Sequence, residues 1–266
     1  MDFSFIIGLV ACLGLVVFGI LNGGKFESFV NIPSVAITVG GTVFSVFMCV
    51  KTSTFLQIPK HFGVILRKDK FKLEDYIDVI VDLAQEARVK GLLALEEKVE
   101  TIDIDDEFLK FCVMLIIDAL EATKVREQIE NEISCIEARH SAVWKLYERG
   151  ETLAPAFGML GTLIGLINML ADMDPDDPSK VTSGMATALI TTFYGSFLAN
   201  VLFAPMGSKL KQRHEEEVVT KELIMEGVLS IQAGENPKYI RDKLKSYLTT
   251  KERDAAGDEG SYSADE

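Results

Sequence analysis

The chain has 266 residues, of which 40 are Asp or Glu and 27 are Lys or Arg, giving a net charge of −13. Four windows hold no Asp, Glu, Lys, Arg or His: Phe3–Leu21, Phe29–Val50, Thr152–Ala171 and Val181–Ser208. Each is long enough to cross a hydrocarbon core of about 30 Å as a helix, which excludes a soluble enzyme and marks an integral membrane protein. The acidity, without clustered Lys and Arg, also excludes nucleic acid as a partner.

The first window carries Asp2 instead of a basic leader and has no clear small-x-small cleavage site, so it reads as a retained span over about 3–21. Span two covers about 29–50, with Pro33 as its first-turn proline. Spans three and four cover about 152–171 and 181–204. The link between spans one and two, Asn22–Ser28, and the link ADMDPDDPSK between spans three and four carry one Lys each. By contrast, Lys51, Lys60, Arg67, Lys68 and Lys70 follow span two, Lys145 and Arg149 precede span three, and Lys209, Lys211 and Arg213 follow span four. That asymmetry places both short links outside and both termini and the middle region in the cytoplasm.

Apolar spacing predicts helices over Leu73–Lys90, Asp106–Ala122 and Val125–Tyr147, the last running straight into span three. Span four is expected to continue as a charged helix through Lys221–Ser230. Asn236-Pro237 is a cap with a first-turn proline, opening a last helix to about Leu248. The tail Lys251–Glu266 is poor in apolar residues and reads as disordered. The fold class is therefore an all-α membrane protein: four transmembrane helices, a large helical cytoplasmic domain between spans two and three, and a cytoplasmic C-terminal helical region. The corresponding boundaries are 1–50, 51–150, 151–208, 209–250 and an acidic tail at 251–266. Cys12, Cys49, Cys112 and Cys135 form no CxxC pair and read as small buried hydrophobes.

No span contains a carboxylate, lysine, arginine or histidine, although ion paths through membranes normally use one. Either the chain has no ion path or a second subunit brings the missing group. The spans hold small residues and hydroxyls instead. Span three reads APAFGMLGTLIGLINML, with Gly161 and Gly165 in a GxxxG and Thr162 between them; span four reads GMATALITTFYGSFLAN, with Thr191 and Thr192 adjacent. Two readings of the threonines are open. They bond carbonyls of their own helices, or Thr162 faces Thr191 or Thr192 and offers oxygens to a hard monovalent cation. Pro155 and Pro205 mark either ordinary kinks and helix ends or hinges.

Those span-three and span-four motifs resemble the MotA/PomA family of flagellar stator subunits, within the MotA/TolQ/ExbB superfamily. EARVKGLLALEE and LIMEGVLSIQAGENPKYIRDKL strengthen the resemblance, which covers nearly the whole chain. It implies five copies of this subunit around two copies of a MotB/PomB-type partner, whose single span carries one Asp. Ion flow at the interface would turn the ring against the rotor protein FliG, in the bacterial inner membrane, with no cofactor beyond transported Na⁺ or H⁺ and no enzymatic activity. By matching positions, Arg88, Lys90, Glu96 and Glu97 form the rotor interface, and Val89 stands where sodium-driven relatives carry lysine. Pro155 and Pro205 match the family's coupling prolines. Thr162, Thr191 and Thr192 match the ion-pathway threonines, a set that resembles the sodium-driven branch and provides for transient Na⁺ contact. An ExbB/TolQ-type energiser is the alternative; the seven-residue link joining spans one and two favours the stator.

Overall fold

The computed structural model describes residues 3–24, 26–66, 72–102, 104, 106–171 and 178–253. Among them there is no strand, and four helices are long and apolar enough to cross a membrane. The chain divides into two compact units, Met1–Lys68 with Arg139–Arg213, and Asp69–Ala138 with His214–Glu266.

In the first unit, α1 (Phe3–Gly23) is the first span. It buries almost none of its surface within the chain, leaving Ile7, Leu15, Phe18 and Leu21 exposed, as suits side chains bathed in lipid. Span two is broken into pieces. A 3₁₀ turn at Phe26–Phe29 leads to α2 (Ile32–Val35), a π-helical stretch at Ala36–Gly40, and α3 (Gly41–Cys49). Asn31 caps α2 by accepting from the Ser34 backbone N–H, and Pro33 occupies its first turn as the sequence predicts. Two short helices absent from the sequence reading, α4 (Thr52–Leu56) and α5 (Ile58–Leu66), follow at once. Val46, Ile65, Leu146, Tyr147, Met206 and Leu210 form this unit's apolar core, with Phe5, Phe55, Trp144 and Phe203 packed around it.

The second unit begins with α6 (Leu73–Lys90), whose bounds coincide with the predicted helix because its apolar stripe is regular and Gly91, at φ 87°, ends it. A 3₁₀ turn at Leu92–Ala94 opens α7 (Leu95–Thr101). Asp106 caps α8 (Glu107–Ile117), its Oδ1 accepting from the N–H groups of Phe108 and Leu109 and its Oδ2 from Tyr76 Oη at 2.7 Å. The predicted helix through Ala122 is corrected here. The helix stops at Ile117 because Ala119 takes φ 56°, and Gln232 Nε2 occupies the Leu120 carbonyl at 2.6 Å. Helix α9 (Ala122–Ala171) then runs unbroken, as expected from the pattern that joins Val125–Tyr147 to span three.

The fourth span is α10 (Pro178–Phe197), a second π-helical stretch at Leu198–Phe203, and α11 (Ala204–Gln232), so the expected charged continuation is present. Asn236 caps α12 (Pro237–Leu244), and a 3₁₀ turn carries the chain to Tyr247, close to the predicted end. Arg241 pairs with Asp78 at 2.6 Å and Lys243 with Glu226 at 2.6 Å, tying α12 to α6 and α11. Ile80, Leu83, Leu109, Ile116, Val125, Leu223, Ile224, Ile240 and Leu244 fill the core beneath these pairs. The expected disordered tail lies mostly beyond the described residues, which end at 253. Of the four cysteines only Cys112 is buried. Cys12, Cys49 and Cys135 are unpaired but, against expectation, exposed, because the helices that carry them turn those positions outward.

Candidate functional site

Backbone contact between spans three and four builds the site. A Cβ at Gly165 would stand 2.7 Å from Ala188 N and 2.8 Å from Gly184 O. One at Gly195 would meet Ala154 O at 2.6 Å, and one at Gly158 would meet Thr191 O at 3.1 Å. The predicted GxxxG is thus part of a longer glycine seam that lets two helices touch through their main chains.

Close approach brings hydroxyls together. Thr162 and Thr192 hydroxyl oxygens are 2.5 Å apart. The Ala188 carbonyl lies 3.1 Å from Thr162 Oγ1 and 3.3 Å from Thr192 Oγ1. Three oxygens therefore converge on a face where Thr192 is exposed and Thr162 half-buried. Ala188 contributes through its backbone, so its side chain gave no signal; only its place one turn before Thr192 could have pointed to it.

Thr191 is placed differently. It is fully buried, fills the space opposite Gly161, and donates to carbonyls of its own helix, Thr187 at 3.0 Å or Ala188 at 2.9 Å. Thr162 thus faces Thr192, and all three threonines also lie within hydrogen-bond distance of carbonyls of their own helices, Thr162 with Gly158 at 3.1 Å. Tyr194 donates to the Phe29 carbonyl across to the start of span two.

The two prolines sit differently in their helices. Pro155 lies within the continuous α9, where it cannot donate to the Glu151 carbonyl. Pro205 follows the π-helical turn, whose wider coil makes room for the ring, and borders a hollow of about 280 Å³ lined by Phe5, Leu9, Asn200 and Val201.

Arg88, Lys90, Glu96 and Glu97 come together at the corner of α6 and α7 in the second unit, and all four are exposed. The basic pair ends one helix and the acidic pair starts the next, each in the position that helix dipoles favour. Lys90 Nζ also pairs with Glu86 at 2.7 Å. Val89, 81% exposed, stands among these charges together with Leu93, 75% exposed, which the sequence reading did not single out. Among the described residues no cluster of His, Cys, Asp or Glu could hold a metal ion.

The profile of the MotA/TolQ/ExbB proton channel family matches residues 100–223. The chain is 39% identical over 253 residues to Motility protein A of Treponema phagedenis, covering 95% of this chain and 96% of that one. It is 37% identical over 253 residues to Chemotaxis protein PomA of Vibrio alginolyticus, covering 95% and 98%. The flagellar MotAB stator complex from Bacillus subtilis has a chain that superimposes with a TM-score of 0.84 at 33% identity, covering 93% of this chain and 96% of that one. C. jejuni MotAB gives a TM-score of 0.83 at 28% identity, covering 94% and 97%. With its four apolar helices, this is a multi-pass protein of the bacterial inner membrane. The chain belongs to the MotA/TolQ/ExbB proton channel family and, within it, to the Motility protein A/PomA flagellar stator subunits, which are not enzymes.

Proposed function

We propose that this subunit works with a MotB/PomB-type partner to couple inward ion flow, Na⁺ in preference to H⁺, to torque on the rotor protein FliG. The observation that carries the reading is the pairing of Thr162 with Thr192 beside the Ala188 carbonyl, in spans whose sequence holds no carboxylate, lysine, arginine or histidine. Neutral oxygens suit a hard cation that has shed part of its hydration, while the countercharge comes from the partner's intramembrane Asp. Five copies of the chain surround two of the partner, with the N- and C-termini of each copy in the cytoplasm, as the distribution of Lys and Arg favours. Pro155 and Pro205 carry the conformational coupling, Thr191 backs the pathway pair, and the corner bearing Arg88, Lys90, Glu96 and Glu97 engages oppositely charged groups on FliG.

Thr192→Ala tests the ion assignment. In cells whose motility depends on this subunit, swimming speed is measured across a sodium series, with membrane content of the protein checked in parallel. The variant is expected to assemble and to lose sodium-dependent swimming. Unchanged speed at every sodium concentration would overturn the assignment.

A further inference from the structure

Span four also makes polar contacts with span two. Ser34, Thr38 and Thr42 recur at one-turn spacing on span two, and all three are fully buried. Ser34 Oγ lies 3.4 Å from the Thr187 carbonyl, and Thr38 Oγ1 lies 3.4 Å from the Thr191 carbonyl. Thr42 turns back on its own helix, donating to the Thr38 carbonyl at 2.6 Å. Thr38 sits inside the π-helical stretch Ala36–Gly40. A buried hydroxyl in a membrane has no water to fall back on, so its orientation follows the acceptors around it.

The Thr191 carbonyl belongs to the peptide unit whose nitrogen is that of Thr192. Thr38 therefore contacts the peptide unit that leads directly into Thr192. Rotation of span four about its axis is what separates a productive Thr192 from a misdirected one. A turn of about 10° moves an atom at the outer helix radius of about 5 Å by about 0.9 Å. That displacement is enough to open the 2.5 Å contact between Thr162 and Thr192.

We propose that Thr38 is a positioning residue of the ion site: through the Thr191 carbonyl it sets the rotation of span four that aims the Thr192 hydroxyl at Thr162. Ser34 has no such role, because its hydroxyl donates to Asn31 Oδ1 at 2.8 Å and lies farther from the Thr187 carbonyl, at 3.4 Å. The functional half of this proposal rests on the ion-pathway reading above, whereas its geometric half does not.

Two readouts separate them, both on the full chain expressed with its partner in cell membranes. The first is disulfide yield in a Thr162→Cys/Thr192→Cys pair, on a background with the four native cysteines replaced by Ala. Thr38→Val keeps the volume and removes the hydroxyl, and is expected to lower the yield about twofold, the scale set by one long, weak hydrogen bond. Thr38→Ser, which keeps the hydroxyl, is expected to retain the yield. The second readout is swimming speed against sodium, with native Thr162 and Thr192. Here Thr38→Val is expected to raise the half-saturating sodium concentration by a similar factor, with Thr38→Ser close to wild type. Should Thr38→Val lower the amount of protein in the membrane, Thr38→Ala is read in the same assays. Unchanged cross-linking and sodium dependence in the hydroxyl-free variants, or Thr38→Ser as impaired as Thr38→Val, would overturn the proposal. If Thr192→Ala has no effect on sodium dependence while Thr38→Val still lowers cross-linking, the ion reading fails and the positioning role stands.

Discussion

Gly165→Ala is a one-carbon change whose effect can be worked out from the structure. The added Cβ would lie 2.7 Å from Ala188 N, 2.8 Å from Gly184 O and 3.0 Å from Ala188 Cα. All three are backbone atoms of α10, so no rotamer change relieves the clash. Ordinary contact begins near 3.5 Å, and α9 and α10 must therefore separate by about 0.8 Å. Thr162 lies one turn away on α9, and the same separation stretches its 2.5 Å contact with Thr192 to about 3.3 Å, outside the range of a good O–H···O bond. Overpacking of this kind costs about 1–3 kcal/mol, offset in part by about 1 kcal/mol from the better helix propensity of alanine. The subunit is thus expected to reach the membrane in near-normal amounts while swimming speed falls sharply. Gly14→Ala in α1 is the control, because a Cβ there meets nothing within 4 Å. Membrane immunoblots and swimming speed of the two variants check the argument. Wild-type speed in Gly165→Ala, or equal damage from Gly14→Ala, would refute it.

Charge reversal at the α6–α7 corner, Arg88→Glu with Glu97→Lys, is expected to cut swimming torque at least several-fold at normal membrane content, because neither exposed side chain supports the core; tethered-cell rotation under load checks this. His61 predicts a pH response. Its Nδ1 lies 2.9 Å from the Tyr147 hydroxyl, its Nε2 is buried with no hydrogen-bond partner, and burial holds its pKa below the ordinary 6.5. The folded value is lower than the unfolded one, so this contribution to stability is complete above about pH 6.5 and is lost as pH falls toward the folded value. Thermal unfolding of the detergent-solubilised protein is expected to show that loss, and His61→Phe should flatten it.

What the sequence made legible and what it did not divide along a physical line. Periodicity is local, and it located α6 to the residue and the long run of α9. The end of α8 was hidden because it depends on Gln232, distant in sequence, taking the Leu120 carbonyl. The π-helical turns at Ala36–Gly40 and Leu198–Phe203 carry no compositional signal, since a π turn differs from an α turn only in which carbonyl each N–H finds. Glycine spacing announced a tight interface. It could not say that Gly195 and Ala154 continue it, because that depends on which faces meet.

The adjacent threonines show why partners, and not residue type, divide the roles within the site. Thr191 and Thr192 are identical in chemistry, and successive helical residues point about 100° apart, so only one of them can face a given neighbour. Gly161 decides which: it has no Cβ, and the Thr191 side chain fills the space it leaves. With Thr191 lodged there and its hydroxyl bonded to its own helix, Thr192 is directed to the open face and onto Thr162. Gly161 of span three and Thr38 of span two therefore bear on the same residue of span four, one admitting the Thr191 side chain and the other touching its carbonyl, so both act on the rotation that aims Thr192.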